Sequence, residues 1–143
     1  MAVDQSAVQD GLGGAISGGQ AASPATALAN LTRVMGAPDR DQSSDYPYCT
    51  IGECEVNEDG GGAGCMDAVT ILIPIHTWTK EQGFTQVKQI DAALIELLDE
   101  NEFTITGHLN KGCFYRTSRF MRDVAKGIRH GITEFIIHVE KAT

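Results

Sequence analysis

The sequence predicts an α+β fold, a mainly antiparallel sheet with one long helix packed on it, plus a short N-terminal helix. Three observations predict it. Val69, Ile71, Ile73 and Ile75 alternate with Thr70, Leu72, Pro74 and His76 on the way to Trp78, the period of a strand with one side on a core. Phe84, Val87, Ile90, Ala93, Leu94, Leu97 and Leu98 then form an apolar stripe at helical spacing, with Gln82, Lys88, Gln89, Glu96 and Asp99 outside it. After the turn signal Ala125-Lys126-Gly127, the run Gly131 to Glu140 alternates again. Strands, one helix and more strands make a two-layer sandwich.

Element by element, Asp4 is placed to cap a helix over residues 4–17, where Ala7, Val8, Leu12, Ala15 and Ile16 keep helical spacing and Gly11, Gly13 and Gly14 weaken it. Gly18 to Pro24 reads as a loop, Leu28 to Met35 as an ambiguous apolar piece, and Ala37 to Asp45, with Pro38 and two serines, as an exposed connection. From Tyr46 to Asn57 the pattern is β-like, and Glu58 to Gly64 forms a flexible acidic, glycine-rich loop. Pro74 has no N–H for a ladder, so its strand should lie on an edge, or bulge, at that point. The helix is expected over 82–99. Extended pieces are expected at Phe103 to Leu109 and Cys113 to Arg122, the latter joined by a hairpin to the last strand.

A chain of 143 residues with 42% hydrophobic and 21% charged side chains suits one globular domain with one core, 1–143. No lysine or arginine precedes Arg33 and no long apolar run follows Met1, so a secretory signal and a membrane span are not expected. The four cysteines, Cys49, Cys54, Cys65 and Cys113, form no Cys-x-x-Cys pair, which favours free thiols in a reducing cytoplasm over a disulfide framework.

The net charge of −8 is unevenly spread. Residues 1–67 carry ten acidic and two basic side chains, and residues 68–143 carry nine of each. Lys111, Arg116, Arg119, Arg122, Lys126 and Arg129 stand against only Asp123 in their stretch. One negative and one positive surface suit head-to-tail contacts between copies, although two solvated faces would give the same count. No recognition helix or base-stacking platform accompanies the basic stretch, so it reads as a protein-facing rim.

Motifs of catalysis are missing from the sequence. It holds no Gly-x-Ser-x-Gly, no Walker-type loop, no His-Glu-x-x-His and no full Asp-x-Asp-x-Asp/Asn-Gly calcium loop. Cys49 and Cys54, five apart on one expected strand, would stand roughly 16 Å apart on opposite faces, unsuited to sharing a zinc ion. Cys113 and His130 can be drawn as a nucleophile pair across the last hairpin, but small buried thiols are the plainer reading. His76 and His138 read as core or rim histidines. No enzyme activity, metal or cofactor is expected.

Three segments and the helix between them, in order, carry a resemblance. Tyr46-Pro47-Tyr48-Cys49-Thr50-Ile51-Gly52-Glu53 is similar to an aromatic-Pro-aromatic-x-Thr-Ile-Gly-Glu strand, and Ile75-His76-Thr77-Trp78-Thr79 to a strand ending in tryptophan, followed by the helix with Val87, Ile90 and Ala93. Arg122-Asp123 with Gly127-Ile128-Arg129-His130-Gly131-Ile132 is similar to a closing hairpin. Over residues 46–140 the chain thus resembles the tail-terminator, or tail-completion, family of long-tailed phages and gene transfer agents. Pro74 departs from the family strand, and residues 1–45 lie outside the resemblance.

The resemblance implies a structural virion protein, made in the host cytoplasm and placed at the head-proximal end of the tail. It implies a homo-oligomeric ring, commonly a hexamer, that caps the tail tube, meets a head connector or stopper, and lets DNA through its lumen. The alternatives are another neck protein, a stopper or head-tail adaptor, and, from a different class, a small thiol- or metal-dependent enzyme. On that basis Glu55, Glu58 and Asp59 are expected to line the lumen or contact a neighbouring ring element, and Lys111, Arg116, Arg119, Arg122, Lys126 and Arg129 to form a basic interface.

Overall fold

The computed structural model describes residues 4–22, 33–35, 46–58 and 68–141. The chain runs α1 (Gln5–Ala22), β1 (Arg33–Met35), β2 (Tyr48–Ile51), β3 (Glu55–Glu58), β4 (Ala68–Lys80), α2 (Thr85–Leu98), β5 (His108–Arg122) and β6 (Ile128–Lys141). One sheet has the order β1-β2-β4-β6-β5, and β3 also pairs with β4. Among the described residues only the β1–β2 pair is parallel. The fold is α+β and mainly antiparallel, as the alternation predicts.

Two helices, not one long and one short, make the second layer. α1 has 18 residues and α2 has 14. Asp4 caps α1 by accepting from the backbone N–H groups of Ser6 and Ala7 at 3.0 and 3.3 Å. Its stripe Val8, Leu12 and Ile16 is fully buried. The glycines do not shorten this helix, and one has a reason to be there. A Cβ on Gly11 would stand 2.5 Å from the carbonyl oxygen of Thr104, so the bare backbone lets α1 approach the chain beyond α2.

α2 starts at Thr85, three residues later than the expected 82, because Gln82, Gly83 and Phe84 form a bend. The carbonyls of Gln82 and Gly83 accept from the Arg129 guanidinium. The carboxylate of Glu81 then accepts from the N–H groups of Gln86 and Val87, both at 3.0 Å, and from the Thr79 hydroxyl at 2.6 Å. That satisfies donors a helix start leaves bare and sets negative charge at its positive end.

Ile90, Leu94 and Leu98 of α2 pack with the α1 stripe on one face of the sheet, and Val87 is buried one turn earlier. There they meet Val69, Ile71, Ile73 and Ile75 of β4 and Phe135, Ile137 and Val139 of β6, all buried. Each such side chain stabilises the fold by about 1.5–3 kcal/mol relative to exposure. Asp91 ties the layers together, accepting from Ser118 of β5 at 2.7 Å and Thr133 of β6 at 2.6 Å.

β4 is a central strand, flanked by β6 on one side and by β2 and β3 on the other. Pro74 therefore lies at a bulge and not on an edge. Ile51 pairs with Ile75 and Glu55 with Leu72, so the facing strand carries an extra residue opposite Pro74. The N–H of Gly52 donates to the Pro74 carbonyl at 2.8 Å. Backbone N and O of one antiparallel residue point the same way, so the missing donor of Pro74 faces this interruption and no ladder bond is lost. The expected single strand over 46–57 is thus two, β2 and β3. Conversely, the two extended pieces expected after α2 yield one long strand, β5, with irregularities at Asn110/Gly112 and Tyr115/Thr117. Residues 103–107 contribute only the Ile105–His108 bridge.

Candidate interaction surface

Both helices cover one face of the sheet and leave the other open among the described residues. Register decides what stands there. Tyr48 pairs with Trp78 and Trp78 with His130, so β2, β4 and β6 set one aromatic row across the open face. Ring centroids lie 6.3 Å apart for Tyr48 and Trp78, 3.8 Å for Trp78 and His130, and 4.9 Å for His130 and His76. Tyr46 extends the row, 5.4 Å from Tyr48. Both histidines are half-buried. Burial first, then the neighbouring His76 ring, holds His130 down at about 4, and burial likewise lowers His76. With both rings neutral, one N–H donates across the 2.7 Å between His76 Nδ1 and His130 Nε2. Sequence reasoning placed His76 on a strand but did not bring it to His130. The signal was the strand register, which pairs His76 with Ile132 and Trp78 with His130.

The last strand of the sheet, β5, carries a second feature that sequence reasoning missed. Leu109, Phe114, Tyr115 and Met121 are between 38% and 47% exposed, and together with Val124 of the following turn they are the large apolar side chains left in solvent among the described residues. Arginines stand between them. Arg116 and Arg122 are exposed, Arg119 makes a loose ion pair with Glu134 at 3.6 Å, and Lys111 makes one with Glu140 at 3.7 Å. Lys126 is exposed in the hairpin turn.

Arg129 stands apart from this basic set. It is 8% exposed, donates to the carbonyls of Gln82, Gly83 and Ile128, and lies 5.1 Å over the Phe84 ring. Its strand position points it at the helix layer, where it anchors the start of α2.

Glu55 lies exposed on β3, beside the exposed Glu53 of the β2–β3 interruption. Glu58 ends β3, and Asp59 and the glycine loop fall outside the described residues. Along β4, β3 sits opposite Val69 to Leu72. Through β6, the arginine-bearing half of β5 sits at the level of Pro74 to Thr79. The acidic strand and the basic hairpin therefore occupy diagonally opposite corners of the sheet.

Chemically the thiols are quiet. Burial pushes Cys49 and Cys113 up to about 12 and Cys54 to about 11, so at neutral pH they stay protonated and weakly nucleophilic. Cys113 pairs with Ile137 and Met121 with His130, seven residues along β6, so Cys113 and His130 are not juxtaposed. Cys49 lies on β2 and Cys54 in the interruption before β3, and both pack on the core. Among the described residues no group of three or more His, Cys, Asp or Glu is arranged for a metal ion.

A family model described as Tail completion protein gp17 matches residues 19–140. Among solved structures, a chain from the virion of a native gene transfer agent particle is 19% identical, with a TM-score of 0.69, covering 92% of this chain and 96% of that one. The gp17 protein of bacteriophage SPP1 is 16% identical, with a TM-score of 0.51, covering 99% of this chain and 97% of that one. At these identities the likeness is one of fold. No curated protein sequence matches.

Proposed function

The chain belongs to the Tail completion protein gp17 family, whose members are structural proteins of the virion tail, and from that premise we propose that its copies close into a ring, a hexamer, at the head-proximal end of the tail. The ring caps the tail tube and joins it to the head connector or stopper, and DNA passes through its lumen. The protein works by contact and carries out no catalysis.

The observation that supports this reading is the distribution of exposed apolar side chains. Leu109, Phe114, Tyr115 and Met121 all fall on the outermost strand, between arginines. Aromatic residues, methionine and arginine are the types enriched where proteins meet. The high thiol pKa values count against a thiol enzyme. A wall that held phosphate tightly would retard moving DNA, so the lumen is neutral or acidic. Glu55, Glu58 and Asp59 are candidates for that wall or for a contact within the ring.

The test is assembly. Purified protein, alone and mixed with tail tubes that lack a cap, is followed by light scattering and negative-stain imaging. Closed rings, free or seated on one end of the tube, are expected. Only monomers with tubes present, or binding to heads and not to tubes, would overturn the reading.

A further inference from the structure

The sheet ends at β5 on one side and, along the Val69 to Leu72 part of β4, at β3 on the other, and these two ends differ in charge and are matched in strand direction for joining. From β3 to β5 the path crosses β4 and β6, and each step is antiparallel. Four alternating strands leave β3 and β5 running in opposite directions. When copies repeat about an axis, β5 of one copy therefore meets β3 of the next antiparallel, the more stable pairing.

Among the described residues both edges are open where the charges lie. The first half of β5 is met by the chain that leaves α2, since Glu100 donates to the Cys113 carbonyl at 2.6 Å and Asp99 accepts from the Tyr115 N–H at 2.9 Å. Beyond Tyr115 the strand is the end of the sheet among the described residues, and it carries Arg116, Arg119 and Arg122. Among the described residues β3 pairs only with β4, and Glu53 and Glu55 are exposed beside its other side.

From these edges we infer that the ring joint is strand to strand, the free half of β5 in one copy pairing with the acidic strand β3 of the next, so that the sheets run on from copy to copy. This rests on the ring reading above and names its contact. Backbone bonds make the joint, and arginine against glutamate sets its polarity and excludes β5–β5 and β3–β3 pairing, where like charges face each other. The two corners are offset by about six residues, roughly 20 Å along the strands. Offset of that kind is taken up when strands tilt against the axis of a closed sheet. Glu53 and Glu55 then lie in the joint and not on the lumen wall.

The experiment exchanges the charges. Arg116 and Arg122 have no ion pair among the described residues, so Arg116→Glu/Arg122→Glu leaves the subunit's own bridges intact. Glu53→Lys/Glu55→Lys alters the other edge. Each double variant is expected to remain folded by circular dichroism and to lose rings, on tubes and free, at concentrations where wild type forms them. All four changes in one chain restore opposite charges across the joint and are expected to restore rings. Ring formation by either folded double variant at wild-type concentration would overturn the joint, and so would failure of the folded quadruple variant. Wild type in the same series reports on the ring itself, so rings from wild type with no effect of the variants overturn the joint alone.

Discussion

Nδ1 of His76 lies 2.7 Å from Nε2 of His130, on adjacent strands of the open sheet face. The contact suits two neutral rings and penalises a second proton. The rings stack beside Trp78, with Arg119 adding to the penalty on both and Glu134 near His76 and Asp123 near His130 relieving it in part.

A folded-state pKa below the unfolded one means that the unfolded chain binds more protons in the window between them. Stability from this pair is therefore fully present above about 6.5 and is lost as pH falls toward about 4, the value for His130. Since both rings are half open to solvent, the effect is discounted to on the order of 1 kcal/mol. Urea titrations from pH 7 to pH 4 should show this loss, and the double variant His76→Gln/His130→Gln should show a shallower one. Equal slopes for the two proteins would refute the assignment.

Glu81 holds the start of α2 through two backbone donors and the Thr79 hydroxyl. Glu81→Ala removes all three acceptor contacts, and we expect a cost of about 1–3 kcal/mol in equilibrium unfolding. Glu81→Gln keeps one acceptor oxygen and should recover part of the loss. An alanine variant as stable as wild type would show that the contacts contribute nothing net.

Glycine to alanine should act with opposite signs at two positions. A Cβ on Gly131 would stand 2.8 Å from Cγ2 of Val87, pressing α2 off β6, so Gly131→Ala should cost about 1–3 kcal/mol. Nothing lies within 4 Å of a Cβ on Gly14, which is exposed on α1. Gly14→Ala should therefore stabilise by up to about 1 kcal/mol. Thermal melts of the two variants check the pair.

These glycines show where the sequence was legible and where it was not. Strict periodicity, as at Val69 to Ile75 and Val87 to Leu98, reports one-sided burial directly, and those elements stand where it puts them. Gly11, Gly13 and Gly14 all read as helix weakness, because propensity is local whereas the close approach to Thr104 is a tertiary fact. The Pro74 bulge was half legible: the missing donor demanded a break in the ladder, but only pairing shows that the break lies in the facing strand. The basic stretch was legible as charge and not as position. Arg129 and Arg122 are cross-strand partners, one on the inner strand β6 beneath the start of α2 and the other on the outermost strand β5, and no spacing rule carries that.

The buried thiols should resist alkylation. Cys49 and Cys113 are protonated and shielded, so native protein treated with iodoacetamide at pH 8 should leave both unmodified, and both should react in urea. Peptide mass spectrometry resolves each site. Rapid native modification of Cys113 would point to an opening of the β5 edge.

The last prediction concerns the apolar residues of β5. Leu109 is 47% exposed and Met121 38%, so a polar replacement at either removes little burial from the folded monomer. The expected stability change is within about 1 kcal/mol. If these side chains form an apolar contact between copies beside the strand joint, the same replacements remove buried area from every subunit boundary of the ring at once. Closed rings multiply that loss, because each copy carries the defect. Leu109→Gln/Met121→Gln should therefore unfold within about 1 kcal/mol of wild type while its rings dissociate at much higher protein concentration in analytical ultracentrifugation. Rings as stable as those of wild type would mean that these side chains stay in solvent after assembly, and that the contact between copies is made elsewhere on the subunit.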